Sequence, residues 1–161
     1  MVIIRPATEQ DFEAIYQIFQ SVVVTGDTYA FPSSLTKEEV HTIWMGKDYH
    51  PFVAVQEEEI CGTYTFHPNQ PTRGAHVANA SYMVKPGIQG KGVGKQMGNH
   101  SLLAAKQAGF LAMQFNIVVS TNQPAIYLWQ SLGFKIIGTI PQAFNHAKHG
   151  LVDTYIMHRF L

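Results

Sequence analysis

Three glycines within five residues, Gly90, Gly92 and Gly94, stand in the run Gln89-Gly90-Lys91-Gly92-Val93-Gly94-Lys95 and restrict the fold tightly. Before them, residues 76–84 are rich in β-forming side chains and are closed by Pro86-Gly87, which predicts a strand and its stop. After them, Val93, Met97, Ala104 and Ala108 recur on one face at helical spacing up to Gly109, which predicts a helix. A strand that turns into a helix through glycines leaves the first-turn N–H groups without helical partners, where an anion can approach the main chain. Two phosphate loops of this kind fail on the residues. A Walker A loop needs glycine at position 89 and serine or threonine at position 96, where Gln89 and Gln96 stand. A dinucleotide fingerprint begun at Gly90 needs glycine where Lys95 stands.

The remaining periodicities complete a mixed α+β order. Residues 2–5 read as a short strand, and Thr8-Glu9-Gln10-Asp11 caps a helix carrying Phe12, Ile15, Tyr16, Phe19, Val22 and Val23 at helical spacing. Glycine and proline bound residues 26–32, which puts Tyr29 and Phe31 on a loop before the capping box Thr36-Lys37-Glu38-Glu39 of a second helix. Residues 52–56 and 60–66 read as a hairpin with an acidic tip. Residues 111–119 form the next strand. Asn122 then caps a helix with Pro124 in its first turn, an apolar stripe of Ala125, Leu128, Trp129 and Leu132, and Gly133 at its end. Residues 134–140 and 151–160 are the last two strands. His146, Lys148 and His149, in the polar stretch between them, read as a solvated loop rather than zinc ligands, and His67 and His100 read as surface residues.

Length and charge limit the function classes. The 161 residues predict a single domain spanning 1–161. Eleven basic side chains balance eleven acidic ones, so no surplus field favours a nucleic acid. Cys61 has no second cysteine to pair with, which suits a reducing compartment. No apolar run reaches the roughly 18 residues of a membrane span, and residues 1–6 are too short and wrongly flanked for a signal sequence. The expectation is a cytoplasmic protein without a membrane or nucleic-acid partner.

Gln89, Gly92 and Gly94 satisfy Gln/Arg-x-x-Gly-x-Gly/Ala after the strand end Val84-Lys85-Pro86, and here the sequence resembles the GNAT superfamily of acetyl-CoA-dependent N-acetyltransferases. The run from Asn122 through Ala125 and Leu128 to Gly133-Phe134 is similar to a second superfamily segment, on the helix beside the cofactor thiol. The resemblance implies a GNAT fold, a mixed central sheet of about seven strands flanked by about four helices. It further implies acetyl-CoA as cosubstrate, no metal, and a small-molecule amine as acceptor; a homodimer is left open. Cofactor contacts then fall on Met83, Val84, Gln89, Gly90, Lys91, Gly92, Val93, Gly94, Lys95, Asn122 and Trp129.

Four further segments, at residues 76–80, 115–118, 141–144 and 150–153, look like the subgroup containing the L-azetidine-2-carboxylate (proline-analogue) N-acetyltransferases. That resemblance implies that Asn79 and Asn116 contact or orient the acceptor and that Asn122 serves the cofactor side. Independently, Asn79 and Asn116 fall inside predicted strands, where asparagine is depleted and a buried amide must find partners. The superfamily resemblance also makes Tyr29 and Phe31, on the loop between the first two helices, candidates for the acceptor pocket; otherwise they pack that loop on the core.

The implied reaction is direct attack of a neutral amine on the thioester carbonyl, with main-chain N–H groups stabilising the oxyanion. Two departures stand out. Trp129 occupies the position where the superfamily often carries a tyrosine acid, and an indole N–H does not give up its proton at neutral pH. Tyr127 lies about 200° around the helix from it. The strand Val77-Ala78-Asn79-Ala80-Ser81 lacks the glutamate that many members use as base, leaving a water relayed by Asn79 and Asn116, with His76 and Asp153 behind it. Other acceptors (an antibiotic, a glufosinate-like amino acid, a polyamine, a protein amino terminus) and a non-catalytic CoA-binding module are the alternatives.

Overall fold

The computed structural model describes residues 1–88 and 90–161; Gln89 lies outside the described residues. The strands are β1 (Val2–Pro6), β2 (His50–Gln56), β3 (Glu59–Pro68), β4 (Val77–Val84), β5 (Ala112–Val119), β6 (Lys135–His146) and β7 (Gly150–Phe160). The helices are α1 (Phe12–Val23), α2 (Lys37–Met45), α3 (Val93–Gln107) and α4 (Gln123–Ser131). The described residues thus form the expected mixed seven-stranded sheet with four helices, in the order β1-β2-β3-β4-β5-β7-β6. No helix among them is long and apolar enough to cross a membrane.

Neighbouring strands are antiparallel except β4 and β5, which are parallel and pair at Val77↔Ala112 and Ala78↔Met113. Beyond those two pairs the ladder stops, and the remainder of both strands borders a seam. β5 is also irregular against β7 between Phe115 and Val118, which frees Asn116 and Ile117 from pairing there. Strand alternation sorts the β4 side chains. Ala78 and Ala80 join the apolar cluster under α3 and α4, whereas Met83 joins the cluster of α1 and α2. Asn79, in phase with Met83, therefore faces the α1 and α2 side.

Local chemistry explains the elements. Thr36 caps α2 by accepting from Glu39 N–H, the Glu39 carboxylate returns to Thr36 N–H at 2.7 Å, and the expected capping box forms. Arg5 grips Asp11 through two bonds of 2.7 and 2.8 Å, tying β1 to the turn that starts α1. Gly98 lets α4 pack closely on α3, since a Cβ there would lie 2.5 Å from Leu132 Cδ1.

Several sequence expectations need correction. Ala108 is exposed and Ala104 half-buried; the buried face of α3 runs through Val93, Met97, Ser101, Leu102 and Ala105. β6 runs on to His146, into the stretch expected to be loop, while β7 begins one residue earlier than expected, leaving only residues 147–149 as the turn. Ala147 N–H donates to Gly26 O at 3.0 Å, so the hairpin tip docks beside the end of α1. His146 is consequently buried, and its Nδ1 accepts from Lys148 N–H at 3.0 Å. His100 is half-buried, with Nδ1 2.6 Å from the Tyr64 hydroxyl. His67 is half-buried too and borders the cavity described next.

Candidate active site

The seam between β4 and β5 opens into a cavity of about 760 Å³. On its α3 side, Gly90 and Gly92 adopt φ of 82° and 80°, a left-handed backbone that favours glycine. A Cβ on Gly90 would meet nothing within 4 Å, so space lies open above the main chain. The first intrahelical bond at this end of α3 is Gln96 N–H to Gly92 O, 3.1 Å, so the amides of Val93, Gly94 and Lys95 have no acceptor within the helix. Gly90, Val93 and Gly94 line the cavity; Lys91, Gly92 and Lys95 are exposed beside it. Open glycine backbone, first-turn amides without a helical acceptor and two flanking lysines fit the diphosphate of a CoA ester.

Met83 and Val84 line the wall on β4, and Asn122 and Trp129 the wall on α4. Asn122 caps α4 through Oδ1, which accepts from Ala125 N–H at 3.3 Å. The Trp129 ring is wedged 4.7 Å from both Tyr82 and Phe115, so it is as much core as cavity wall. Tyr127 is exposed, as its helical phase predicted.

On the α1 and α2 side the floor is amide chemistry. Asn69 Oδ1 accepts from Asn79 Nδ2 at 3.2 Å and from Asn116 Nδ2 at 2.7 Å. Gln114 Nε2 donates to Asn116 Oδ1 at 2.9 Å. The two asparagines singled out from the sequence are thus brought together across the seam, through a third that sequence reasoning missed. Asparagine after Pro68 looks like ordinary loop composition and gave no signal. Tyr29 and Phe31 also border the cavity, their rings stacked at 5.8 Å. The Tyr29 hydroxyl donates to Tyr82 O at 2.5 Å and accepts from Tyr82 N–H at 2.9 Å. Burial pushes its pKa up to about 12, against the opposing Tyr82 bond. His76 and Asp153 are exposed and do not border the cavity; Asp153 instead accepts from Gln142 N–H at 2.9 Å. No described lining residue is Asp, Glu, Lys or Arg.

Residues 12–134 match the sequence profile of the Acetyltransferase (GNAT) family. A GCN5-related N-acetyltransferase from Kribbella flavida is similar in structure with a TM-score of 0.95 and 43% identity, covering 99% of this chain and 98% of that one. The structure of yncA from Salmonella typhimurium with its cofactor acetyl-CoA shares the fold at 24% identity and a TM-score of 0.85, covering 100% and 94% of the two chains. The N-acetyltransferase aca1 of Schizosaccharomyces pombe is 37% identical over 98 residues, which is 60% of this chain but 47% of that protein's length. Since the profile runs from the first residue of α1 to the residue before β6, well over half the sequence and both walls of the seam, the chain belongs to the acetyltransferase (GNAT) family.

Proposed function

We propose that this chain transfers the acetyl group of acetyl-CoA to the amine of a small amino or imino acid, in the manner of the proline-analogue acetyltransferases. The observation that carries the acceptor class is the amide floor within an uncharged lining. A side-chain amide has two N–H donors; Asn79 and Asn116 each use one on Asn69 Oδ1 and keep another for a carboxylate. A polycationic acceptor would find no carboxylate partner in such a lining.

Acetyl-CoA supplies an activated acyl carbonyl. The chain's own part is to bind, orient and exclude water. The amides of Val93, Gly94 and Lys95 take the diphosphate, aided by Lys91 and the backbone at Gly90 and Gly92. Met83 and Val84 border the acyl arm from β4, and Asn122 and Trp129 do so from α4. Asn79 and Asn116 orient the acceptor from the other face of the sheet, with Tyr29 and Phe31 closing the chamber.

A thiol-release assay with acetyl-CoA tests this, using L-azetidine-2-carboxylate, phosphinothricin, neutral amino acids and a polyamine as acceptors. Turnover with the amino or imino acids is expected. CoA binding without acceptor-dependent thiol release, or turnover of the polyamine alone, rejects the proposal. Asn79→Ala removes a donor to a charged group and is expected to raise the acceptor's KM about 10- to 100-fold while leaving that of acetyl-CoA in place. An equal rise for both substrates rejects the assignment of Asn79.

A further inference from the structure

The acetyl transfer proposed above needs a proton acceptor, and β4 offers no carboxylate for it. Among the described residues lining the cavity, His67 is the side chain that ordinarily titrates between pH 5 and 8. Its geometry fixes where the lone pair sits. Nδ1 lies 2.9 Å from Pro68 O, and because a carbonyl oxygen only accepts, Nδ1 carries the hydrogen and Nε2 the lone pair. Nε2 has no hydrogen-bond partner among the described residues. The Tyr49 ring lies against the imidazole at 4.5 Å and restrains its rotation.

His67 on β3 pairs in register with Asn79 on β4. Directly opposed residues share a face with Cβ atoms about 5 Å apart, so the imidazole stands beside the amide proposed to orient the acceptor. Tyr49, from the segment between α2 and β2, is the titratable group packed on it, itself raised by burial and by the charge of Asp48. The neighbours on β4 and in the loop after β3, Asn79 and Asn69, are uncharged. Burial lowers the His67 pKa from the ordinary imidazole value, and the Pro68 bond opposes it less strongly, so the ring is neutral at pH 7.

We propose that His67 Nε2 is the general base that takes a proton from the acceptor's ammonium group; the assignment rests on the acetyl-transfer reading. The nitrogen lone pair so released forms the N–C bond as the C–S bond breaks, and the second proton lost by nitrogen ends on the departing sulfur. His67 then returns its own proton to solvent.

His67→Asn retains an N–H for Pro68 O but no base. For the wild type, kcat/KM is expected to be flat between the His67 pKa and that of the acceptor's ammonium, and to fall as pH drops through the lowered His67 pKa. In His67→Asn it is expected to rise about tenfold per pH unit through that plateau, as attack waits on free amine, with a roughly 10²-fold deficit at pH 7. Imidazole in the buffer is expected to restore part of the rate of His67→Ala, while the heat of CoA binding stays unchanged in both variants. Independently of turnover, 15N NMR of the wild-type ring is expected to give the Nδ1–H tautomer with a midpoint below that of an ordinary imidazole. An Nε2–H tautomer, an unchanged profile in His67→Asn, or a raised acceptor KM at constant kcat overturns the assignment of His67. Wild-type protein that releases no thiol overturns the transfer reading together with it.

Discussion

Tyr29 does at the scale of one residue what a neighbouring strand does elsewhere in the sheet. Where β5 has left β4, the main chain of Tyr82 lacks ladder partners on the seam side, and the Tyr29 hydroxyl supplies both an acceptor and a donor. With its pKa raised to about 12, the phenol keeps its proton throughout the physiological range and goes on donating. Tyr29→Phe strands a buried N–H and a buried C=O, and is expected to lower the unfolding free energy by about 1–3 kcal/mol, read as a reduced urea midpoint at constant slope. A midpoint matching the wild type would show that water or backbone replaces the hydroxyl. The loop position of Tyr29 was legible from the glycine and proline around it and its place beside a pocket only through the family resemblance, but its bond to a residue 53 positions away was not legible at all, because no spacing rule links a loop phenol to a distant strand edge. Asn79 and Asn116 stood out because an amide inside a strand demands explanation, but the role proposed for them came from the subgroup resemblance and not from their spacing. His67 and Asn69 were not: their roles come from cross-strand register and from a contact across the seam.

At the scale of elements, glycines on α3 and its approach do two separable jobs. Gly92 holds the left-handed N-cap beside open space, with Gln96 Nε2 4.0 Å from where a Cβ would sit, so alanine there meets backbone strain and no clash. Gly98 faces α4, where a Cβ would strike Leu132 at 2.5 Å and Trp129 at 3.2 Å. Gly92→Ala is therefore expected to weaken CoA binding about 10-fold in calorimetry with little change in melting temperature, as the exposed turn relaxes away from its cradle shape. Gly98→Ala is expected to cost about 1–3 kcal/mol of stability by overpacking. The opposite pattern would mean that the turn is scaffold and the helix contact is loose. Local signals were strongest for elements like these: Thr36, Asn122 and the glycine turn marked helix starts that the structure retains. They failed on the second half of β6, where Pro141, the left-handed Gln142 with φ of 50° and the polar Asn145 look like a strand stop, while the structure absorbs them as a register shift between Ile140 and Phe144.

The whole molecule is a sheet nearly divided in two. On the α3 and α4 side one apolar cluster runs beneath both halves, from Tyr64 and Ala80 to Phe115, Phe134 and Met157. On the other side the described residues bridge the halves through polar contacts, Asn69 to Asn116 at 2.7 Å and the hairpin tip at Ala147 to Gly26. On the proposed reading a CoA ester seated in the seam touches both halves at once, so its binding energy adds directly to the free energy that keeps them together. Ligand at about 100 times its Kd stabilises the folded state by about 2.7 kcal/mol. For a domain near this size, each kcal/mol moves the melting temperature by about 2–4 °C, which gives an expected rise of about 5–10 °C. Amide hydrogen exchange is expected to slow in β4, in β5 and in the first turn of α3, the elements that face each other across the opening. A melting temperature indifferent to CoA, or protection confined to the helices far from the seam, would remove the cleft between β4 and β5 as the place where the ligand binds.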